Sequence, residues 1–359
     1  MKASQLEHQP WLHRFAVFCA VVTLGLIGLG GLLTSKEAGM AVPDWPTTYG
    51  YNMFLFPVEM WTGGIFYEHT HRLYASFVGF ITIGLMVWFL IKEKRKWMKV
   101  LGVVAFFLVV FQGVLGGLRV TLFKDEIGIF HGALAQLFLA LMASFALFTS
   151  KWWMEGRGEK LPKVRSRLTP WMVGLCCLIF GQLVLGAMMR HAHVGLAVPD
   201  FPKAYGQWWP DTDEEALHEI NQQRMDVVHD GNVFYDEHLT AYHIHTHMFH
   251  RLGAVLIFIS LLAFSIHTFR TLGNRHVISR LAAFWFGLVC LQAGLGIMTV
   301  LYNKPADVAT LHVVTGATLL VHGILSTISV RRMELQWLPS QSTSTSVADE
   351  EPSAQPATA

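Results

Sequence analysis

The sequence predicts an all-α, polytopic membrane protein of eight transmembrane helices, built as two parallel four-helix bundles related by pseudo-twofold symmetry. Three observations predict it. The chain is 53% hydrophobic and 14% charged, with a mean hydropathy of +0.41. It holds eight apolar runs of spanning length, and its two halves repeat each other's motifs. A soluble domain is about 25% charged, so the composition argues against an ordinary soluble enzyme. It argues equally against a disordered or nucleic-acid-binding chain. The net charge of +2 says nothing about partners, whereas 18 His beside so few charges suggest metal or heme chemistry in an apolar setting.

A span needs about 20 mostly apolar residues. Phe15–Leu33 is the first run. His71–Ile91 follows, opened by His71-Arg72-Leu73 and closed by the basic stretch Lys92–Lys99. Val100–Leu118 contains Gln112-x-x-Leu-Gly116, and Ile127–Phe148 has His131 at its start. After a linker come Trp171–Met189 and then His247–Ile266, which carries His250-Arg251-Leu252. Leu281–Leu301 contains Gln292-x-x-Leu-Gly296, and Val308–Ser329 has His312 at its start. Core helices of a soluble domain do not explain runs this long and this numerous. Placing the N-terminus in the cytoplasm puts eighteen of the 27 Lys and Arg on the cytoplasmic side. No cleavable signal or transit peptide is apparent, and a bacterial inner membrane is the simplest address.

The repeat extends to the outer connections, where Gly39-Met-Ala-Val-Pro-Asp-Trp-Pro46 matches Gly195-Leu-Ala-Val-Pro-Asp-Phe-Pro202. Four spans per half keep both copies the same way up, with their relating axis along the membrane normal. The expected organisation is a bundle over 1–150, a cytoplasmic linker over 151–169 and a second bundle over 170–332. An outer insertion over 207–242 interrupts the second half, and a disordered cytoplasmic tail covers 333–359. The four Cys fall inside predicted spans and read as small packing residues.

His71, His131, His250 and His312 sit at the outer ends of even-numbered spans. Spans two and four of a bundle run in the same direction, so His71 pairs in depth with His131, and His250 with His312. Two imidazoles at one depth on facing helices are what bis-His heme ligation requires. Any single one of them reads equally as a water-bonded interfacial His; the twofold pattern favours ligation. Gly113, Gly116, Gly117, Gly132, Gly294, Gly296 and Gly316 offer flat helix faces to a porphyrin. Arg72 and Arg251 suit heme propionates, with snorkelling to lipid head groups as the alternative. Glu68 lies three residues before His71, on the same face if the helix reaches back that far. His247 holds the matching place in the second half, and Glu68 reads either as a catalytic carboxylate or as a solvated acid. The acidic insertion contains His218, His229 and His238 and reads as solvated loop, with a copper-type metal site as the alternative. Asp226-x-x-x-Asp230 is superficially similar to the Asp-rich magnesium motif of membrane prenyltransferases. His69, His191 and His193 are weaker candidates.

Together the eight spans, the Pro-Asp-Trp-Pro loop, Glu68-x-x-His71-Arg72, and His at the starts of spans four, six and eight resemble the heme A synthase family. The likeness runs from about Phe15 to Val330. It implies oxidation of a heme O methyl group to a formyl group by successive hydroxylation, the gem-diol losing water. It implies that His71 and His131 ligate the substrate heme O in the N-terminal half, with Glu68 as the catalytic carboxylate. It also implies a resident heme b between His250 and His312, and proximity to heme O synthase and to terminal oxidase assembly factors. Some members carry a Cys pair in the outer loops, which Thr34–Tyr67 and Arg190–His245 lack. A di-heme b-type cytochrome, carrying electrons between quinone and an outer partner, uses the same four His. A transporter fits less well, since the polar groups cluster at the outer ends. Homo-oligomerisation is left open.

Overall fold

The computed structural model describes residues 8–156, 164, 166–229 and 238–337. Among them the chain is helical, with two isolated β-bridges in the connections. Eight helices are long and apolar enough to cross a membrane. They are α1 (Pro10–Ser35), α2 (Gly63–Lys92), α3 (Lys96–Thr121), α4 (Asp125–Thr149), α6 (Thr169–His191), α8 (Ala241–Leu272), α9 (Val277–Leu301) and α10 (Ala306–Trp337). Two further helices are short or peripheral: α5 (Lys151–Glu155) and α7 (Glu214–His229). Pro10 and Pro170 stand at the starts of α1 and α6, where a missing N–H costs nothing.

Neighbouring helices pack as two rings. In one, α1 touches α2 and α4, and α3 joins α2 to α4; in the other, α6, α8, α9 and α10 close in the same way. The rings meet along a seam where α1 and α4 face α10 and α6. The long connection 36–62 and the described parts of the second, 192–229 and 238–240, lie at one end, called the outer end below. Each ring has its own apolar core, and both cores gather at the other end. The first includes Leu12, Ala16, Phe89, Met98, Met142 and Phe145, all nearly inaccessible. The second includes Met172, Ile179, Leu261, Phe264 and Trp285. Toward the outer end the packing changes character. Residues 131–135, 182–188 and 292–297 are half-buried throughout, so neither face of these helix turns is sealed.

Helix starts differ from the hydropathy reading. Apolar run two begins at His71, yet α2 begins eight residues earlier at Gly63. The added turns carry Glu68 and His69, which are 3% and 0% exposed. The connection 38–61 folds over them, so burial comes from loop packing that a hydropathy window does not register. Likewise α8 begins at Ala241, six residues before the predicted His247, with a capping box formed by Thr240 and His243.

The insertion is more ordered than the solvated loop expected of it. Its segment Glu214–His229 is α7, whose Ile220 packs with Val194, Ala197 and Leu239. Asn221 exchanges hydrogen bonds with the Leu239 backbone at 2.8 and 3.0 Å, fastening the helix to the chain entering α8. His218 and His238 are exposed, and no metal-binding group of three His, Cys, Asp or Glu occurs among the described residues. The side chains of Asp226 and His229, and residues Asp230, Asp236 and Glu237, lie outside the described residues, as does the tail from 338.

Candidate functional site

The site is built from four imidazoles on four even-placed helices, each resting on a glycine of a neighbouring helix. A Cβ on Gly30 of α1 would stand 3.2 Å from His71 Cε1, and one on Gly116 of α3 would stand 3.4 Å from His131 Cε1. The second half repeats this: a Cβ on Gly186 of α6 would stand 3.2 Å from His250 Cε1, and one on Gly296 of α9 would stand 3.0 Å from His312 Cε1. A methyl group would crowd the ring at Gly30, Gly186 and Gly296 and would just touch it at Gly116. The seats at Gly116 and Gly296 were among the flat faces expected from sequence; those at Gly30 and Gly186 were missed. They are 156 residues apart, the same offset as the Pro-Asp loop motif, which is the signal that could have found them. Of the other glycines, Gly117 receives the Trp45 ring, Gly316 packs on Leu183 and Gln292, and Gly113, Gly132 and Gly294 have nothing within 4 Å.

Each seat belongs to a short motif. Gln112-x-x-Leu-Gly116, Gln182-x-x-Leu-Gly186 and Gln292-x-x-Leu-Gly296 put a glutamine one turn before the glycine, while the first helix has Leu26-x-x-Leu-Gly30. The glutamines brace the histidine they face. Gln112 Nε2 donates to His131 O at 3.1 Å and Gln182 Nε2 to His250 O at 2.7 Å. His312 Nδ1 lies 3.1 Å from Gln292 O, with the Gln292 amide 3.3 Å from the other ring nitrogen. Leu26 offers His71 no such bond. The rings of His250 and His312 face each other with centroids 6.5 Å apart. Nδ1 of His71, His131 and His250 is buried without a hydrogen-bond partner.

The outer connections cover both pairs with one repeated design. Arg72 donates to the carbonyls of Val42, Asp44 and Thr47 at 2.7–3.0 Å, and Arg251 to those of Val198, Asp200 and Lys203 at 2.7–2.9 Å. Tyr49 and Tyr205 hydroxyls donate to Ala41 O and Ala197 O, each at 2.6 Å. Asp44 and Asp200 accept from the backbone of the turns Tyr49-Gly50 and Tyr205-Gly206. Gly50 and Gly206 hold φ of +78° and +76°, a conformation that glycine alone adopts freely. Burial by itself would raise the Asp44 carboxyl pKa. The donors Gly50 N–H, Thr47 hydroxyl and Tyr49 N–H outweigh it and hold the group below the usual carboxylate range.

Glu68 and His247 are geometric twins inside this design. Glu68 Oε2 accepts from Val42 N–H at 2.7 Å, and His247 Nδ1 accepts from Val198 N–H at 3.2 Å. The difference is charge: Glu68 Oε1 also takes Arg72 at 2.7 Å in a buried ion pair. Helix α2 does reach back past Glu68, so Glu68 and His71 share a face. His69 is held under the loop, 3.2 Å from Thr48 Oγ1 and between the Phe56 and Trp61 rings.

A multi-pass membrane protein with two matched imidazole pairs is thus the class that fold and site define. The comparisons with known proteins agree. The family model for the cytochrome oxidase assembly protein COX15-CtaA matches residues 13–324, and the chain belongs to that family. It is 26% identical over 307 residues to the heme A synthase of Shouchella clausii, covering 84% of this chain and 91% of that protein. The heme A synthase of Shewanella oneidensis is 26% identical over 325 residues, covering 84% and 90%. That of Rhodopseudomonas palustris is 24% identical over 360 residues, covering 92% of each.

Proposed function

We propose that this protein is a heme A synthase of a bacterial inner membrane, oxidising the porphyrin methyl group of heme O to a formyl group. His71 and His131 hold the substrate heme, and His250 and His312 hold a resident heme b. The observation that carries this reading is the imidazole geometry. Rings sharing one metal ion through bonds of about 2 Å have centroids roughly 6–6.5 Å apart, and His250 and His312 stand at 6.5 Å. The glycine seats fix where each ring can lie, and the half-sealed outer turns leave room beside them. When bound, a heme supplies iron-centred redox chemistry that the side chains lack.

The chain's own residues orient and cover. Glu68 is proposed as the catalytic carboxylate, on the His71 face, taking the proton released as the methyl carbon is oxidised. Both of its oxygens are engaged at rest, so Oε2 must exchange its Val42 N–H bond to do so. Arg72 and Arg251 border the two sites; propionates would compete with loop carbonyls for their N–H groups. The connections fold over the outer ends of α2 and α8.

Co-expression with a heme O-producing enzyme, followed by chromatography of the extracted pigments, tests the activity. Heme A is expected; folded, heme-loaded protein without heme A would sink the reading. One observation favours a second reading, a di-heme b-type cytochrome. Glu68 shares with His247 the task of holding a loop N–H, which gives it a role without catalysis. Glu68→Ala separates the two. The synthase reading expects normal heme b with oxidation halted, and the cytochrome reading expects unchanged pigments.

A further inference from the structure

Two guanidinium groups and an imidazole meet where the two bundles touch. Arg119 stands near the end of α3, and Arg190 and His191 stand at the end of α6. Arg190 crosses the seam to α1, donating to Ser35 Oγ at 2.6 Å and to Gly31 O. His191 crosses to α4, where its ring lies against Gly128 with no room for a Cβ. Arg119 donates to Asp125 at 3.0 Å and to Gly39 O at 3.4 Å. Asp125 is the acid facing the group, 3.8 Å from His191 Nδ1, and its side chain is 39% exposed. Arg119 Nε, Arg190 Nε and His191 Nδ1 are all buried with no hydrogen-bond partner. Two guanidinium charges face the half-exposed Asp125, and the nearby buried Glu68 is already paired with Arg72, so a buried positive excess remains. Such an excess is costly unless an anion completes it.

The positions are tied to the imidazole pairs. Arg119 lies three residues beyond Gly116, and Arg190 four beyond Gly186, so each stands about one turn outward of a histidine seat. The matching places beyond Gly30 and Gly296 hold Thr34 and Thr299, whose hydroxyls bond within their own helices. Arg72 and Arg251 are occupied by loop carbonyls.

We infer that Arg119, Arg190 and His191 form an anion site at the seam that takes porphyrin carboxylates, Arg119 serving the first pair's heme and Arg190 the second's. This rests on the heme reading above. Through it the two bound groups share one electrostatic boundary, so loading one site is felt at the other.

The test uses full-length protein in nanodiscs with two probes, iron protoporphyrin IX and its dimethyl ester, which differ only in the carboxylates. Wild type should bind the free acid about tenfold more tightly than the ester, the scale of one charge-assisted hydrogen bond. Arg119→Gln should remove that preference in a His250→Ala background, and Arg190→Gln in a His71→Ala background. Both should leave ester binding unchanged, and the Lys variants should restore part of the preference. Equal binding of both probes by wild type overturns the inference alone, as does equal weakening of both by the Gln variants. If phosphatidylglycerol in place of phosphatidylcholine abolishes the wild-type preference, the anion is a lipid phosphate and the inference falls. If neither porphyrin binds, the heme reading falls with it.

Discussion

The two bundles differ least where they meet water and most where they meet the imidazoles. Their outer loops repeat the arginine-to-carbonyl, tyrosine-to-carbonyl and turn-to-aspartate hydrogen bonds, the loop residues at an offset of 156 and the arginines at 179. Beneath them, beyond the exchanges of Arg119 for Thr299 and Thr34 for Arg190, three further replacements break the match. Glu68 stands against His247, Leu26 against Gln182, and the pair Trp45 with Gly117 against Phe201 with Ile297. The first half therefore has a buried carboxylate, one unbraced histidine and a broad aromatic ring laid across α3. The second half has an imidazole in place of the carboxylate and two braced histidines. A scaffold kept constant while its lining diverges is what two different tasks demand of one duplicated frame.

The most disruptive way to probe that difference is at the rings themselves. On the proposed reading, His250→Ala or His312→Ala should abolish heme b in the purified protein, while His71→Ala should keep it. Visible spectra with pigment extraction read this directly, and loss of heme b in all three would erase the division of labour. Next in size are the seats. Gly186→Ala and Gly296→Ala push a methyl group to 3.2 and 3.0 Å from a ring carbon. Disturbing the groups that orient a ligand weakens metal binding roughly 10–100-fold. Heme b retained at wild-type affinity, measured by titration, would remove the seats from the argument.

Smaller changes sharpen it. Leu26→Gln supplies the missing brace. One hydrogen bond contributes about 1 kcal/mol, so imidazole added to the first heme should compete about fivefold less well, with the second heme unmoved. The smallest effect is at the loop. Asp44 titrates low when folded, so its contribution is present above the unfolded carboxylate range and is lost as pH falls through the folded value. Asp44→Asn should flatten the acid limb of a melting-temperature profile by a few degrees at most; an unchanged limb would place the acid sensitivity elsewhere.

Much of this was legible in sequence because hydrophobicity has long range and simple periodicity. Eight spans and a twofold repeat follow from apolar runs and matched motifs. The starts of α2 and α8 were not legible, since His69, Thr246 and His247 are polar residues buried by loops that fold back on them. The four histidines and Glu68 stood out because the repeat marks four positions and breaks at one. Arg119 and Arg190 did not, and His191 only as a weaker candidate, because the repeat records what each half shares and is silent about the surface between halves. The helix in the insertion was hidden by its charge: α7 is mostly solvated and holds on through Ile220 and Asn221.

The placement of both apolar cores at the end away from the histidines has a consequence for turnover. Leu12, Phe89, Met142 and Phe145 knit the first bundle together without any contribution from a guest. A substrate can leave as product and another arrive while that base stays packed. The frame is thus suited to being emptied and reloaded, as a catalyst must be, rather than to folding around one captive pigment.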